Sequence, residues 1–167
     1  MTTLLVVHHS PTPTTTALTE AVLAGAHDDA ITGVDVVVRE ALVATAEDVL
    51  AADGYLLGTS ANFGYMSGAL KHFFDTIFLQ AGGALSDDGS ARESSGTRKP
   101  YGLWVHGRYD TTGAVRSVQS IVQALGWRQS APVLEVLGDV DDQARTAAYE
   151  LGGTLAALIE NIEGDAS

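Results

Sequence analysis

Five hydroxyl side chains, Ser10, Thr12, Thr14, Thr15 and Thr16, fall within seven residues, between an apolar run and a helical pattern. At a helix entrance the backbone N–H groups are unpaired and the dipole is positive, so hydroxyls gathered there can cradle a phosphate group. One Ser or Thr also caps an ordinary helix, but a cluster of five exceeds what a cap requires. No Lys or Arg stands in the loop, so an anion here is held by hydrogen bonds. The Gly-Lys-Ser/Thr ending of a Walker loop is missing, as is a Gly-x-Gly-x-x-Gly turn.

Two further stretches carry unusual composition. Thr59-Ser60-Ala61-Asn62-Phe63-Gly64-Tyr65-Met66-Ser67-Gly68 follows the apolar run Gly54–Gly58 and leads into a helical pattern that continues to Gln80. In that pattern Met66, Leu70, Phe73, Phe74 and Ile77 recur at helical spacing. Gly64 lets backbone approach a ligand closely, and Phe63 and Tyr65 can cover a flat one. The other stretch is His106-Gly107-Arg108-Tyr109-Asp110-Thr111-Thr112-Gly113. There Gly107 permits close approach and Arg108 or Tyr109 can stack or hydrogen-bond. The alternative is a solvated loop with Thr112 as a helix cap.

Other chemistry is less supported. His8, His9 and His106 fall at strand ends, where a metal cluster is conceivable. With no cysteine and no carboxylate pair nearby, they read better as loop histidines, and no metal site is assigned. The Gly-x-Ser-x-Gly elbow of a serine hydrolase is absent, and no residue stands out as a covalent catalyst. Asp87-Asp88 and Asp139–Asp142 read as solvated charge.

The elements that must position these loops alternate along the chain. Apolar runs at Thr3–His9, Val34–Val38, Gly54–Gly58, Tyr101–His106 and Val133–Leu137 read as strands. Helical patterns fall between them, and a closing helix runs from Asp142 to Asn161. The first helix sets Leu18, Ala21, Val22 and Gly25 on one face. This is the pattern of an α/β domain with a doubly wound, five-stranded parallel sheet in the order 2-1-3-4-5, covered by helices on both faces. In that order the loops after strands one, three and four meet at the switch point, and these are the three unusual loops. One domain spans residues 1–162, with 163–167 as a frayed tail. The Gly-, Ser-, Asp- and Arg-rich segment 81–99 reads as a lid, a partner surface or an irregular hairpin.

Composition narrows the partners. The chain has 167 residues, 46% hydrophobic, and a formal net charge of −12, which argues against nucleic acid and anionic membrane as partners. No apolar run reaches the length of a membrane span, and no charged leader precedes the first strand. The lack of cysteine makes cytoplasm the expected compartment.

On these residues the chain resembles the flavodoxin-like proteins, in particular the flavodoxin/NAD(P)H:quinone oxidoreductase group and the NAD(P)H-dependent FMN reductases. The resemblance covers nearly the whole chain in element order. It is most specific at Thr59–Ser67 with Leu70-Lys71 and Phe74-Asp75, which is similar to the family's Pro-Thr-x-Phe-Gly-x-Met-Ser loop and following helix. It implies FMN as cofactor. Its phosphate would lie at Ser10, Thr12, Thr14 and Thr15, and its ring and ribityl chain along Thr59, Ser60, Ala61, Asn62, Phe63 and Gly64. His106, Gly107, Arg108 and Tyr109 would border the pyrimidine side.

The resemblance further implies an oxidoreductase passing electrons from NADH or NADPH to a quinone or similar acceptor. The alternative is a flavodoxin-type electron carrier that docks on a redox partner protein. The sequence departs from the pattern at Ser60, which replaces the usual proline-threonine step. Pro11 and Pro13 stand where a glycine is more common and remove two N–H donors, which also raises a cofactor-free member as a third reading. The histidine that tetrameric quinone oxidoreductases place after the fourth helix is missing from Leu125-Gly126-Trp127-Arg128, so a tetramer is not assumed; a homodimer is the oligomer considered.

Overall fold

A computed structural model describes residues 1–81 and 98–164. Its elements in order are β1 (Thr2–His8), α1 (Pro13–Ala26), β2 (Val34–Glu40), α2 (Ala46–Ala51), β3 (Gly54–Asn62) and β4 (Tyr65–Met66). There follow α3 (Gly68–Ala81), β5 (Pro100–Gly107), α4 (Thr112–Ala124), β6 (Arg128–Gln129), β7 (Leu134–Leu137) and α5 (Asp142–Gly164). Most of the segment expected as a lid or partner surface, residues 82–97, lies outside the described residues.

The apolar, β-branched runs form the interior strands because both of their faces are covered. Parallel pairing orders them β2-β1-β3-β5, with β6 and then β7 following one another along the outer edge of β5. This is the expected 2-1-3-4-5 order, with two differences. The fifth strand is split, Arg128–Gln129 pairing with Pro100–Tyr101 and Leu134–Leu137 with Trp104–Gly107. And β4 folds back antiparallel on the end of β3.

Alternation along the strands divides the core in two. Leu5, Val7, Tyr55, Leu57, Leu103 and Val105 pack with α2, α3 and α4 on one side. On the other, Leu4, Val6, Leu56 and Trp104 pack with Leu18 and Val22 of α1 and Leu151, Leu155 and Ile159 of α5. No helix among the described residues is long and apolar enough to cross a membrane.

Helices α1 and α5 cross with their backbones in contact. A Cβ at Gly152 would lie 1.9 Å from the Val22 carbonyl oxygen, and one at Gly25 1.9 Å from the Tyr149 carbonyl oxygen. Two opposed effects meet at Gly152. Alanine is the better helix former by about 1 kcal/mol, whereas overpacking against rigid backbone costs about 1–3 kcal/mol. The contact is with backbone that cannot rotate away, so packing dominates. Gly152→Ala should therefore lower the urea midpoint and the thermal midpoint; a rise in stability would show that the helix pair can separate without cost.

Candidate functional site

Register fixes which loops meet. His8 ends β1 opposite Gly58, and Ser60 lies opposite His106 on β5. Period-two alternation sets His8, Ser60 and His106 on the face that carries Leu4, Val6, Leu56 and Trp104. The three loops singled out by composition thus leave neighbouring strands at the carboxyl edge of the sheet, where open α/β sheets bind ligands.

The stretch read as a loop after the third strand is more ordered than its composition suggests. β3 continues through Asn62, and Asn62 pairs with Tyr65 across a two-residue turn. Phe63 (φ 52°) and Gly64 (φ 73°) both take the left-handed region, the pattern of a type I′ hairpin turn. Met66, expected at the head of the third helix, instead belongs to the returning strand, and α3 begins at Gly68.

Gly64 takes the positive φ that the turn requires, and its Cβ position meets no protein atom within 4 Å; the close protein contact is at Gly113, whose Cβ would lie 2.0 Å from the Gly64 carbonyl oxygen. The hairpin thereby rests on the N-terminal half of α4, where the Met66 N–H also donates to Ser117 Oγ at 3.2 Å.

Side chains along this hairpin divide into scaffold and free groups. Thr59 is buried; its hydroxyl donates to the Ser60 carbonyl at 2.8 Å and accepts the Ser67 N–H at 2.9 Å. The Thr59 hydroxyl thus braces the end of β3 against Ser67. Ser67 in turn accepts the Leu70 N–H and caps α3. Ser60 Oγ differs from both: it is buried and, among the described residues, has no hydrogen-bond partner. Leaving a buried hydroxyl unpaired costs about 1–3 kcal/mol, so this atom is where a ligand hydroxyl would be most strongly felt. Ala61 is half-buried, Asn62 exposed, and Phe63 lies fully in solvent.

In the β5–α4 loop, His106 Nε2 lies 2.7 Å from the Gly138 carbonyl oxygen. A carbonyl only accepts, so Nε2 carries the proton. The Gly138 N–H returns to the Gly107 carbonyl at 2.8 Å, which ties the turn after β7 to this loop, a contact the sequence did not suggest. Gly107 is confined: its Cβ would lie 2.9 Å from Thr111 Cγ2, 3.0 Å from the Asp110 carbonyl oxygen and 3.3 Å from Ala61 Cβ. The expected cap, Thr112, is itself capped, its N–H and hydroxyl both donating to Asp110 Oδ1 at 3.0 and 2.8 Å. These bonds hold the Asp110 carboxyl below its ordinary range. Thr111 is buried and donates to Glu135 Oε1 at 2.7 Å. Arg108 and Tyr109 are exposed.

The hydroxyl loop forms a directed network. Thr19 Oγ1 donates to the Thr15 carbonyl at 3.1 Å and lies 2.6 Å from Ser10 Oγ, which lies 2.9 Å from His8 Nδ1. All three bonds form together in one sense only: His8 Nδ1–H donates to Ser10, Ser10 to Thr19, and Thr19 to the carbonyl. Thr12 and Thr15 form a reciprocal capping box at the start of α1. Burial holds the His8 imidazole below its ordinary pKa, partly opposed by Glu40 and reinforced by His9. His9 lies close by, but among the described residues no group of His, Cys, Asp and Glu is arranged to hold a metal ion.

No family model matches the chain. A stretch of 73 residues, 44% of the chain, is 37% identical to a flavodoxin from Aquifex aeolicus (strain VF5), and it spans 38% of that protein's length. Among solved structures the chain is similar to a flavodoxin from the domain Archaea, with a TM-score of 0.75 and 19% identity over 95% of this chain and 99% of that one. A flavodoxin, WrbA-like protein from Agrobacterium tumefaciens gives 0.67 and 16% over 96% and 99%. The flavodiiron core of Flv1 from Synechocystis sp. PCC6803 gives 0.75 and 14% over 96% of this chain but 36% of that one. The fold is flavodoxin-like.

The depressed His8 pKa has a testable sign. Its folded pKa is below the ordinary 6.5, so the unfolded chain takes up this proton first as pH falls. The contribution to stability is complete above about pH 6.5, and it declines with falling pH until the folded group also titrates. Chemical denaturation at pH 7.5 and 5.5 should show the wild type losing stability. His8→Asn, which keeps a donor near the Nδ1 position, should lose less; equal losses would remove His8 as the cause.

Proposed function

We propose that this flavodoxin-like chain binds a flavin at the carboxyl edge of its sheet and acts as an electron carrier. The observation that carries the reading is a pair of aromatic side chains in solvent on adjoining loops, Phe63 at the tip of the hairpin and Tyr109 after β5. Phe63 is held outward in the left-handed region, which costs a non-glycine residue roughly 1–2 kcal/mol. Strain of this kind points towards function when the surroundings enforce it, and here the Gly64–Gly113 contact does so. A planar, partly apolar ring seated between these loops would bury both aromatics.

The residues present fit the ring and sugar-alcohol parts of FMN. The isoalloxazine, when bound, supplies the chemistry by accepting and releasing electrons. Phe63 and Tyr109 would cover its faces, and Arg108 would lie at its rim. The Ser60 hydroxyl, otherwise unpaired, would take a ribityl hydroxyl as partner. Backbone between Asn62 and Gly64 and between Gly107 and Tyr109 would orient the ring and exclude water from one edge.

Similarity to flavodoxins supports the carrier reading, as does the charge of −12, which would steer the chain towards a basic face on a partner protein. A second reading, transfer from NADH or NADPH to a quinone, is favoured by the Asn62–Ser67 hairpin, which resembles the quinone oxidoreductases, and by the likeness to the WrbA-like protein.

The purified chain, loaded with FMN, separates the two readings. As a carrier it should show a bound-flavin visible spectrum that dithionite bleaches and that NADH and NADPH leave unchanged over minutes. Tyr109→Ala should weaken flavin binding about two- to tenfold, as expected for the loss of one aromatic stack worth roughly 0.5–1.5 kcal/mol. Rapid bleaching by a pyridine nucleotide with recovery on adding benzoquinone would replace the carrier reading with the reductase. Absence of any bound flavin would overturn both.

A further inference from the structure

The hydroxyl loop looks rich in phosphate ligands by composition, but the structure engages most of them internally. Ser10 donates its proton to Thr19, and Thr15 Oγ1 accepts from the Thr12 N–H at 3.1 Å and donates to the Thr12 carbonyl at 3.0 Å. Thr16 Oγ1 donates to the Ser10 carbonyl at 3.3 Å. Thr12 Oγ1 accepts the Thr15 N–H at 3.2 Å and contacts Thr15 Oγ1 at 2.9 Å. Because Thr15 already donates elsewhere, Thr12 is the donor in that contact. Of the five hydroxyls of this loop, only that of Thr14 is uncommitted.

The backbone is similarly depleted. Pro11 and Pro13 have no N–H, and the N–H groups of Thr12, Thr15 and Thr16 are engaged within the loop, which leaves those of Ser10 and Thr14. Charge does not compensate. The loop contains no Lys or Arg. Arg39, opposite Val7 in register, is held by Asp48 at 3.1 Å, and Glu40 is paired in register with His8. A phosphate dianion brought here would give up hydration for few new donors, beside a carboxylate and in a chain of net charge −12.

We infer that this site recognises a flavin by its ring and ribityl chain and gains little from the terminal phosphate, so that riboflavin is a ligand of nearly the same affinity as FMN. The inference rests on the flavin-binding reading above and concerns only which part of the flavin supplies the affinity. It runs against the expectation that Ser10, Thr12, Thr14 and Thr15 together form a phosphate cradle, because Thr14 alone of these has a free hydroxyl and Ser10 and Thr15 brace the loop.

The test is fluorescence titration of the flavin-free protein with FMN and with riboflavin, on the wild type and on Pro13→Gly. That substitution restores an N–H at the first helical position without adding a side chain. The wild-type dissociation constants should differ by less than about tenfold, equivalent to 1.4 kcal/mol. Pro13→Gly should tighten FMN while leaving riboflavin unchanged. An FMN preference beyond tenfold in the wild type would overturn the inference while leaving flavin binding intact. An equal change for both flavins in Pro13→Gly would overturn the assignment of the missing donor. Failure of both flavins to bind would overturn the flavin reading and this inference with it.

Discussion

Parallel pairing of β1, β3 and β5 is the constraint on which the rest depends. Once Leu4–His8 pairs with Gly54–Gly58, and Tyr55–Ser60 with Tyr101–His106, three chain segments leave the sheet in the same direction within two strand spacings. A slip of one residue would turn every side chain to the other face, moving His8, Ser60 and His106 away from their common side. The apolar residues on both faces forbid that slip, since Leu4 and Leu5 are each fully buried, on opposite sides. The core therefore fixes the positions of the loops, and the loops need only fix themselves.

They do so by different means. The β3–β4 hairpin holds its shape through two left-handed residues and a backbone contact onto Gly113. The β5–α4 loop is tied by His106 to the turn after β7 and by Thr111 to Glu135. The first loop is stiffened by its own hydroxyls, in a capping box and a chain that ends at His8. Stiffness from hydroxyls has a consequence that stiffness from packing lacks, because a group satisfied by the protein is withdrawn from any ligand. The site is thus uneven, with aromatic and hydroxyl groups left open near Ser60, Phe63 and Tyr109 and few left open near the helix entrance.

The fold was legible because its strongest signals are unambiguous. Runs such as Leu4–Val7, apolar on both faces, suit an interior parallel strand, and the helices between them carry clear apolar stripes. The hairpin was not legible. Met66 stands four residues before Leu70, so it fits the helical spacing although it lies on a strand. The turn pair Phe63-Gly64 also lacks the Asn-Gly or Asp-Gly signature. Arg128–Gln129 was missed because a two-residue polar strand has no periodicity. Composition marked three loops that the register brings to one edge of the sheet, but could not assign individual hydroxyls. Whether Thr59 or Thr15 points its proton inward depends on the distance to a carbonyl, and no residue type encodes that. Ser60 was named without any sign that its hydroxyl would be the unpaired one.

The central claim is that a flavin occupies the carboxyl edge between the hairpin and the β5–α4 loop. Amide chemical shifts of the isotope-labelled protein, recorded as FMN is added, test it most directly. The account predicts that the largest changes cluster at Ser60–Tyr65 and Gly107–Thr111, with smaller ones at Ser10–Thr15 and almost none along α5. Changes centred on other elements, or no changes at saturating flavin, would contradict it.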